Sequence, residues 1–386
     1  MSERVTEAQA LSDRLIAIRR ELHQHPELSL EEIQTTARLR QWLTEAGIRI
    51  LDLPLATGLI AEVGGQQPGP TIAIRTDIDA LPIPEQTGLS FASLTPGKMH
   101  ACGHDFHMAT VLGAALLLKA EEASLQGTVR FFFQPAEEIG AGAKLLIEAG
   151  AMAGVAAVFG AHNKPDLAAG LIGIKEGPLM SAVDSFLIEV TGVGGHGALP
   201  HTTKDPVVAS AAIILSLQTI VSRWASPQEA AVVSVTTVRA GEGAHNVIPD
   251  RVTLKGTIRT FNTAVHEGVK ERIAEIATSV ARAHGCTVSV SYPLQGLPSV
   301  NNHPAAVAVA QRACEALGLP VAEAVPTLAS EDFSLYQVEA PGCFVWIGTG
   351  CAFDWHHPEF RVDEGAMSRG AAYFAQVAVE ALATFR

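Results

Sequence analysis

Nine consecutive residues, Met99-His100-Ala101-Cys102-Gly103-His104-Asp105-Phe106-His107, hold one thiol, three imidazoles and a carboxylate. Each of these groups can bind a transition metal. One residue separates Cys102 from His104, and in a loop that spacing can bring thiolate and imidazole to the same ion. A zinc-like ion accepts sulfur, nitrogen and oxygen donors together. A buried cysteine beside a core histidine is the plainer reading, but further donors follow in equally compact motifs. Glu137-Glu138 come after three consecutive Phe and Gln134-Pro135. Two adjacent carboxylates at the end of a buried strand repel each other and call for a cation. One can ligate a metal while its neighbour takes the proton of an activated water. A solvated helix N-terminus would favour the same acidic pair. His162 ends an apolar run, and Trp355-His356-His357-Pro358 adds two imidazoles, one of which can be a surface residue. Each is weak alone; as fourth and fifth members of a set at strand ends, they are ligand candidates.

Other candidates lie further along. Gly192-Val193-Gly194-Gly195-His196-Gly197 fits the dinucleotide pattern G-x-G-x-x-G. Leu199-Pro200 follows at once, so the last glycine opens no helix, and no strand ending in an acidic residue stands twenty residues on. An imidazole on such a turn suits a developing oxyanion better. Arg259 ends an alternating strand, where a guanidinium can pair with a substrate carboxylate in bidentate fashion. A surface loop histidine and a surface salt bridge are the simpler accounts of these two.

The elements that carry these residues read as follows. Residues 8–24 and 30–46 have helical periodicity, with Gly47 as a stop. Short β-rich runs come at 48–53, 59–63 and 71–76, and 108–120 reads as a buried helix. The runs 129–134 and 155–161 are apolar, as expected of strands covered on both faces. Strands alternating with helices predict an α/β sheet with some parallel pairing. From about Met180 the order becomes strand 185–191, helix 205–224, strands 231–238 and 252–259, helix 265–283 and strand 287–291. That βαββαβ order predicts a ferredoxin-like α/β sandwich. After Pro293 helices and apolar runs return, ending in a helix over 364–385. The simplest account has two domains: a discontinuous metal-binding catalytic domain (1–181 and 294–386), and an inserted lid domain (182–293).

The bulk properties agree with a folded two-domain protein. The chain has 386 residues, 48% of them hydrophobic, 17% charged and only 5% aromatic, so its core should be aliphatic and rich in Ala and Gly. A net charge of −13 argues against a nucleic-acid partner. The N-terminus opens polar, and no apolar run is expected to reach membrane-spanning length, so a cytoplasmic location without a membrane partner is expected. The five cysteines are an odd set without regular spacing, which speaks against a disulfide framework and leaves Cys102 free to ligate.

Taken in order, Arg75 to Pro82, His100 to His107, Gln134 to Glu138, Gly194-Gly195-His196, His245 to Asp250 and His356 to Pro358 resemble the M20 metallopeptidase superfamily. They are most similar to its amidohydrolase branch, which includes hippurate hydrolases, N-acyl-amino-acid deacylases and auxin-conjugate hydrolases. The stretch from His162 through Met180 and the Ile248-Pro249-Asp250 run also look like bacterial N-acetyl-amino-acid deacetylases. The resemblance implies two divalent ions per subunit (Zn, Mn, Ni or Co) bridged by Cys102, with His104 and His162 on one and Glu138 and His356 on the other. It implies Glu137 as general base and His196 as the donor to the scissile carbonyl, often from the partner subunit of a homodimer built through the inserted domain. Asn246 and Arg259 are implied to bind the substrate α-carboxylate. Asp77 stands where other branches have a metal-binding His; it and Asp79 are expected to orient the ligands from behind. The expected activity is hydrolysis of a small-molecule N-acyl amino acid to a carboxylate and a free amino acid, completed as the inserted domain closes. The alternatives are dipeptidase or carboxypeptidase cleavage, a Cys102 thiol nucleophile with His104 as base, and a non-catalytic acyl-amino-acid binding protein.

Overall fold

The structure, a computed structural model, describes residues 2–241, 243–293 and 296–386. Leu294, where the third expected segment begins, lies outside the described residues. The chain divides into two compact units. The first comprises Met1–Leu179, Asn301–Val325 and Glu331–Arg386; the second comprises Met180–Val300 and Pro326–Ser330. The short return of Pro326–Ser330 had no sequence signal. It is held by backbone bonding, Ser181 N donating to Ala329 O and Met180 bridging Thr327.

The first unit is built on an eight-stranded mixed sheet. Its order is Arg49–Ile50, Leu59–Gly64, Gln126–Gln134, Gln67–Asp77, Val155–Lys164, Gly342–Gly348, Ile172–Ile174 and Val321–Glu323. The four strands from Gln126–Gln134 to Gly342–Gly348 run parallel. They are largely buried, so they read as near-continuous apolar runs. The strand Gly342–Gly348 was legible only as an apolar run, and the three-residue strands Ile172–Ile174 and Val321–Glu323 are too short to show a period.

Helix His104–Ala120 is buried along almost its whole length, against helices Ser12–Gln24 and Ala366–Thr384. Small residues make that approach possible. A Cβ on Gly113 would lie 2.8 Å from Ala371 Cβ and 2.9 Å from Leu15 Cδ1, and one on Gly370 would lie 2.6 Å from Thr110 Cγ2. The expected helix over 8–24 is broken in two, Glu3–Ala10 and Ser12–Gln24. Gly47 does end the next helix region, at φ 69°.

The second unit has a four-stranded antiparallel sheet in the order Ala231–Ala240, Arg251–Thr260, Ala182–Thr191, Thr287–Ser291. Helix Pro206–Thr219 leads from the central strand Ala182–Thr191 to the edge strand Ala231–Ala240, and helix Thr263–Ala283 leads from the central strand Arg251–Thr260 to the edge strand Thr287–Ser291, which is the ferredoxin-like arrangement. One expectation needs correction here. Pro206–Trp224, with its last five residues wound as a wider π-turn, is long and apolar enough to cross a membrane by length and composition. Its apolar residues serve two faces: Ala209, Ile213, Leu217 and Ile220 pack into this unit's core, while Val207, Val208, Leu215, Val221 and Trp224 are exposed.

Candidate metal centre

The first unit gathers its chemistry at the carboxyl ends of its parallel strands, where open α/β sheets bind ligands. Asp77 ends one strand, Glu137 and Glu138 follow another, and His162 lies near the end of a third. Cys102 and Gly103 form the turn into helix His104–Ala120. Gly103 is left-handed (φ 84°), and the same conformation recurs at Ala136 (φ 55°) and His356 (φ 64°). For a non-glycine residue that conformation costs energy and is typical of sites where function fixes the backbone. Bonding holds it in place: Ala136 N donates to Glu32 Oε1, and His356 N donates to Ala101 O.

Two donor sets converge. The ligand atoms of Cys102, His104 and His162 lie within 4.8 Å of one another, as do those of Cys102, Glu138 and His356. Cys102 Sγ is 3.4 Å from His162 Nε2, and His356 Nε2 is 3.5 Å from Glu138 Oε2. His104 Nδ1 donates to the Asp79 carbonyl at 2.9 Å, so its Nε2 is the free nitrogen. That Nε2 faces Asp77, Glu138 and Glu137 oxygens at 3.7, 3.8 and 4.0 Å without a hydrogen-bond partner, and Glu138 Oε1 has none either. His356 alone is open to solvent, its side chain 54% exposed.

These residues fit a divalent metal. Buried acceptors aimed at one another repel unless a cation lies between them. In the bare protein a proton fills that role: burial opposes charge on His104, but Asp77, Asp79 and Glu138 outweigh it and raise its pKa to about 10. Burial likewise lifts Glu138 to about 7, against the pull of His104. Burial, followed by Glu138 and Glu137, holds the Cys102 thiol well above its usual value. A bound cation reverses all three preferences, deprotonating thiol, imidazole and carboxylic acid together.

The groups behind the donors are ordered. Asp79 Oδ2 accepts from Ser29 Oγ at 2.7 Å and from Glu138 N at 3.1 Å. Asp77 Oδ1 accepts from His107 Nδ1 at 2.7 Å, and Asp77 Oδ2 accepts from Arg75 Nη1 at 2.7 Å. Arg75 is fully buried and also reaches Asp332 and Glu331, each at 2.9 Å, and Gln134 Oε1 at 2.8 Å. Glu137, Glu331 and Asp332 form a third close acidic group. Burial first, then Glu331 and Glu138, push the Glu137 carboxyl well above the usual range. The pair Glu331-Asp332 was missed in the sequence; its one signal is two adjacent acids before Phe333. His100 is buried apart from these donor sets, neither ring nitrogen having a hydrogen-bond partner.

His196, Asn246 and Arg259 belong to the second unit. Gly195–His196 pairs with Val247–Ile248 in a two-stranded ribbon, and Gly197 N donates to Asn246 O at 2.7 Å. The ribbon leads into a single 3₁₀ turn at Pro200–Thr202 and not into an α-helix, so it lacks the phosphate site of a dinucleotide loop. His196 is exposed, and its Nδ1 accepts from Ala198 N at 3.1 Å, which leaves the proton on Nε2. Arg259 is half-buried, its Nη1 donates to Ile258 O and Thr257 Oγ1, and it has no carboxylate partner among the described residues.

An α/β unit that offers sulfur, nitrogen and oxygen donors beside a spare carboxylate is the framework of a metal-dependent hydrolase. Residues 73–380 match the family model described as Peptidase family M20/M25/M40. The chain is 50% identical to N-acetylcysteine deacetylase of Bacillus subtilis (strain 168), over 98% of this chain and 99% of that protein. It is 37% identical to Thermostable carboxypeptidase 1 of Saccharolobus solfataricus, over 96% of each. Among solved structures it is similar to the Bacillus subtilis YXEP protein, described as a dinuclear metal binding peptidase from the M20 family. That match has a TM-score of 0.89 and 48% identity, and covers 97% of this chain and 99% of that one. The chain belongs to peptidase family M20/M25/M40, and it is a hydrolase of amide bonds.

Proposed function

We propose that the protein cleaves N-acyl amino acids to a carboxylate and a free amino acid, using two divalent metal ions. The observation that carries this reading is the meeting of Cys102, His104, His162, Glu138 and His356 in two sets sharing one sulfur, with Glu137 alongside. Cys102 belongs to both donor sets and would help to hold both ions. His104 and His162 would complete one site, and Glu138 and His356 the other. Sulfur, nitrogen and oxygen donors in one set suit zinc, manganese, nickel or cobalt. When bound, the pair supplies Lewis-acid polarisation of the scissile carbonyl and makes a nearby water acidic.

The chain's own groups do the rest. Glu137 takes a proton from the attacking water onto its carboxylate and passes it to the leaving nitrogen. Its low exposure and acidic neighbours raise its affinity for that proton. His196 donates from Nε2 to the carbonyl oxygen as negative charge develops there. Arg259, free of any protein carboxylate among the described residues, binds the α-carboxylate of the amino-acid part, with Asn246 assisting. A substrate with a free α-carboxylate next to the cleaved bond is also what a carboxypeptidase takes, so peptide cleavage is the second reading, favoured by the archaeal relative.

A homodimer formed through the second unit fits the exposed apolar face of helix Pro206–Trp224 and the free edge of strand Ala231–Ala240. A reducing, cytoplasmic compartment fits five cysteines that are all free.

The geometry does not give a Cys102 thiol nucleophile His104 as its base. His104 turns Nδ1 to the Asp79 carbonyl and Nε2 to carboxylates, and the imidazole at Cys102 Sγ is that of His162. The test is to strip the metal, restore Zn, Mn, Ni or Co separately, and assay a panel of N-acyl amino acids and dipeptides. Turnover restored by metal and lost in Glu137→Gln with metal retained supports the reading; metal-loaded parent protein that turns over nothing would leave a binding protein.

A further inference from the structure

Asn163 follows His162 directly and is fully buried. Its side-chain Nδ2 donates to the Cys102 carbonyl at 2.5 Å and to His107 Nε2 at 3.0 Å. Its backbone N donates to the same Nε2 at 2.9 Å. Its carbonyl accepts from His162 Nδ1 at 2.8 Å. Trp355 Nε1, on the residue before His356, stands 3.2 Å from both the carbonyl and Oδ1 of Asn163. One residue therefore ties together the Cys102–His104 turn, His107, His162 and the His356 segment.

The hydrogen bonds fix both imidazoles. His107 Nε2 receives two N–H donors, so the ring proton sits on Nδ1 and goes to Asp77 Oδ1. His107 then has no lone pair left for a cation, although Asp77, His104 and His107 lie close enough together to hold one. His162 gives its Nδ1 proton to the Asn163 carbonyl and keeps a lone pair on Nε2, the nitrogen beside Cys102 Sγ. The amide needs space at the turn, and Gly103 leaves it: a Cβ there would lie 2.5 Å from Asn163 Nδ2.

We propose that Asn163 is a positioning residue of the metal centre, clamping three ligand-bearing segments in register, with His107 as its acceptor and not a metal ligand. This rests on the dinuclear reading given above. The donors can grip an ion without rearrangement only while the Cys102 carbonyl, the His162 ring and the Trp355 indole are held to one point. Groups that orient ligands in this way typically change metal affinity by about 10–100-fold when removed.

The test uses the whole chain and the variants Asn163→Ala, His107→Gln and the double variant. Metal retained against a graded chelator is measured, together with the thiolate-to-metal absorption band of the cobalt-loaded protein. The expected result is metal retention weakened about 10–100-fold in Asn163→Ala, with a shifted cobalt–thiolate band and kcat reduced more than KM is raised. His107→Gln should keep both metal equivalents at saturating metal, and the double variant should lose less than the two single losses combined. Parent-like metal retention and an unmoved band in Asn163→Ala, with only a lower unfolding temperature, would overturn the proposal. So would loss of one whole metal equivalent in His107→Gln. If Asn163→Ala does not fold, Trp355→Phe, which removes only the indole donor, should weaken retention in the same direction, and an unchanged value overturns the clamp. A parent protein that binds no metal defeats the dinuclear reading itself, a result separate from any variant's.

Discussion

Glu137 and Arg259 carry the sharpest expectations for single side chains. Glu137→Gln keeps the shape and the packing but removes the proton acceptor, so kcat should fall on the order of 10²–10⁴-fold with metal content unchanged. Metal analysis beside steady-state kinetics checks both halves of that statement. Arg259→Ala removes a charge-assisted pair, and kcat/KM for substrates with a free α-carboxylate should drop on the order of 10–100-fold. The same change should have little effect on the corresponding carboxamide substrates, which a panel of matched pairs would show. At this scale the sequence was informative where the donors were unusual. A Cys-x-His pair and a double Glu each have a plainer use, but beside His162 and the His356-His357 pair they could be named as one set. Arg75, Glu331 and Asp332 could not. Their partnership spans 256 positions from Arg75 to Glu331 and depends on a buried guanidinium meeting acids that only the folded sheet brings near. Asn163 escaped for a different reason: an amide has no signature until the atoms it bridges are known.

Among the elements, helices Ser12–Gln24 and His104–Ala120 are joined by buried charge. His23 donates between Asp105 Oδ2 at 2.9 Å and Glu85 Oε1 at 3.2 Å, and Arg19 reaches the same Asp105 oxygen at 2.9 Å. Burial works against charge on His23, but Asp105 and Glu85 outweigh it and raise the pKa from 6.5 to about 9. A raised pKa means that the folded state holds the proton more tightly than the unfolded chain. The contribution is complete below pH 6.5 and is lost as pH rises through about 9. The stability difference between the parent and His23→Gln should therefore shrink over that interval, as thermal unfolding at stepped pH would record. The same helix pair gives a packing prediction. Gly113→Ala gains helix propensity but meets Ala371 and Leu15, neither with room to withdraw, so denaturant unfolding should show a net loss of about 1–3 kcal/mol. Long periodic elements such as Thr263–Ala283 and the alternating strand Arg251–Thr260 were legible from their patterns. The breaks within a helical pattern and the shortest strands were not, because a cap at Leu11 or a pairing of three residues is decided by neighbours in space.

For the whole molecule, self-association and assembly order are the open quantities. If the exposed face of Pro206–Trp224 pairs two copies, sedimentation should give a dimer mass, and Leu215→Asp, which puts a charge on a residue 73% exposed, should give monomers that remain folded. The five donors also have an order along the chain. Cys102, His104, Glu138 and His162 precede the second unit, whereas His356 lies beyond it and beyond the Gly342–Gly348 strand. Helix His104–Ala120 packs against Ala366–Thr384 and the His162 strand pairs with Gly342–Gly348, so even the donors made early wait for the C-terminal stretch before their supports exist. Capture of metal by the proposed centre then becomes a late event in biogenesis, and a polypeptide interrupted before the last strand and helix should hold no ion firmly.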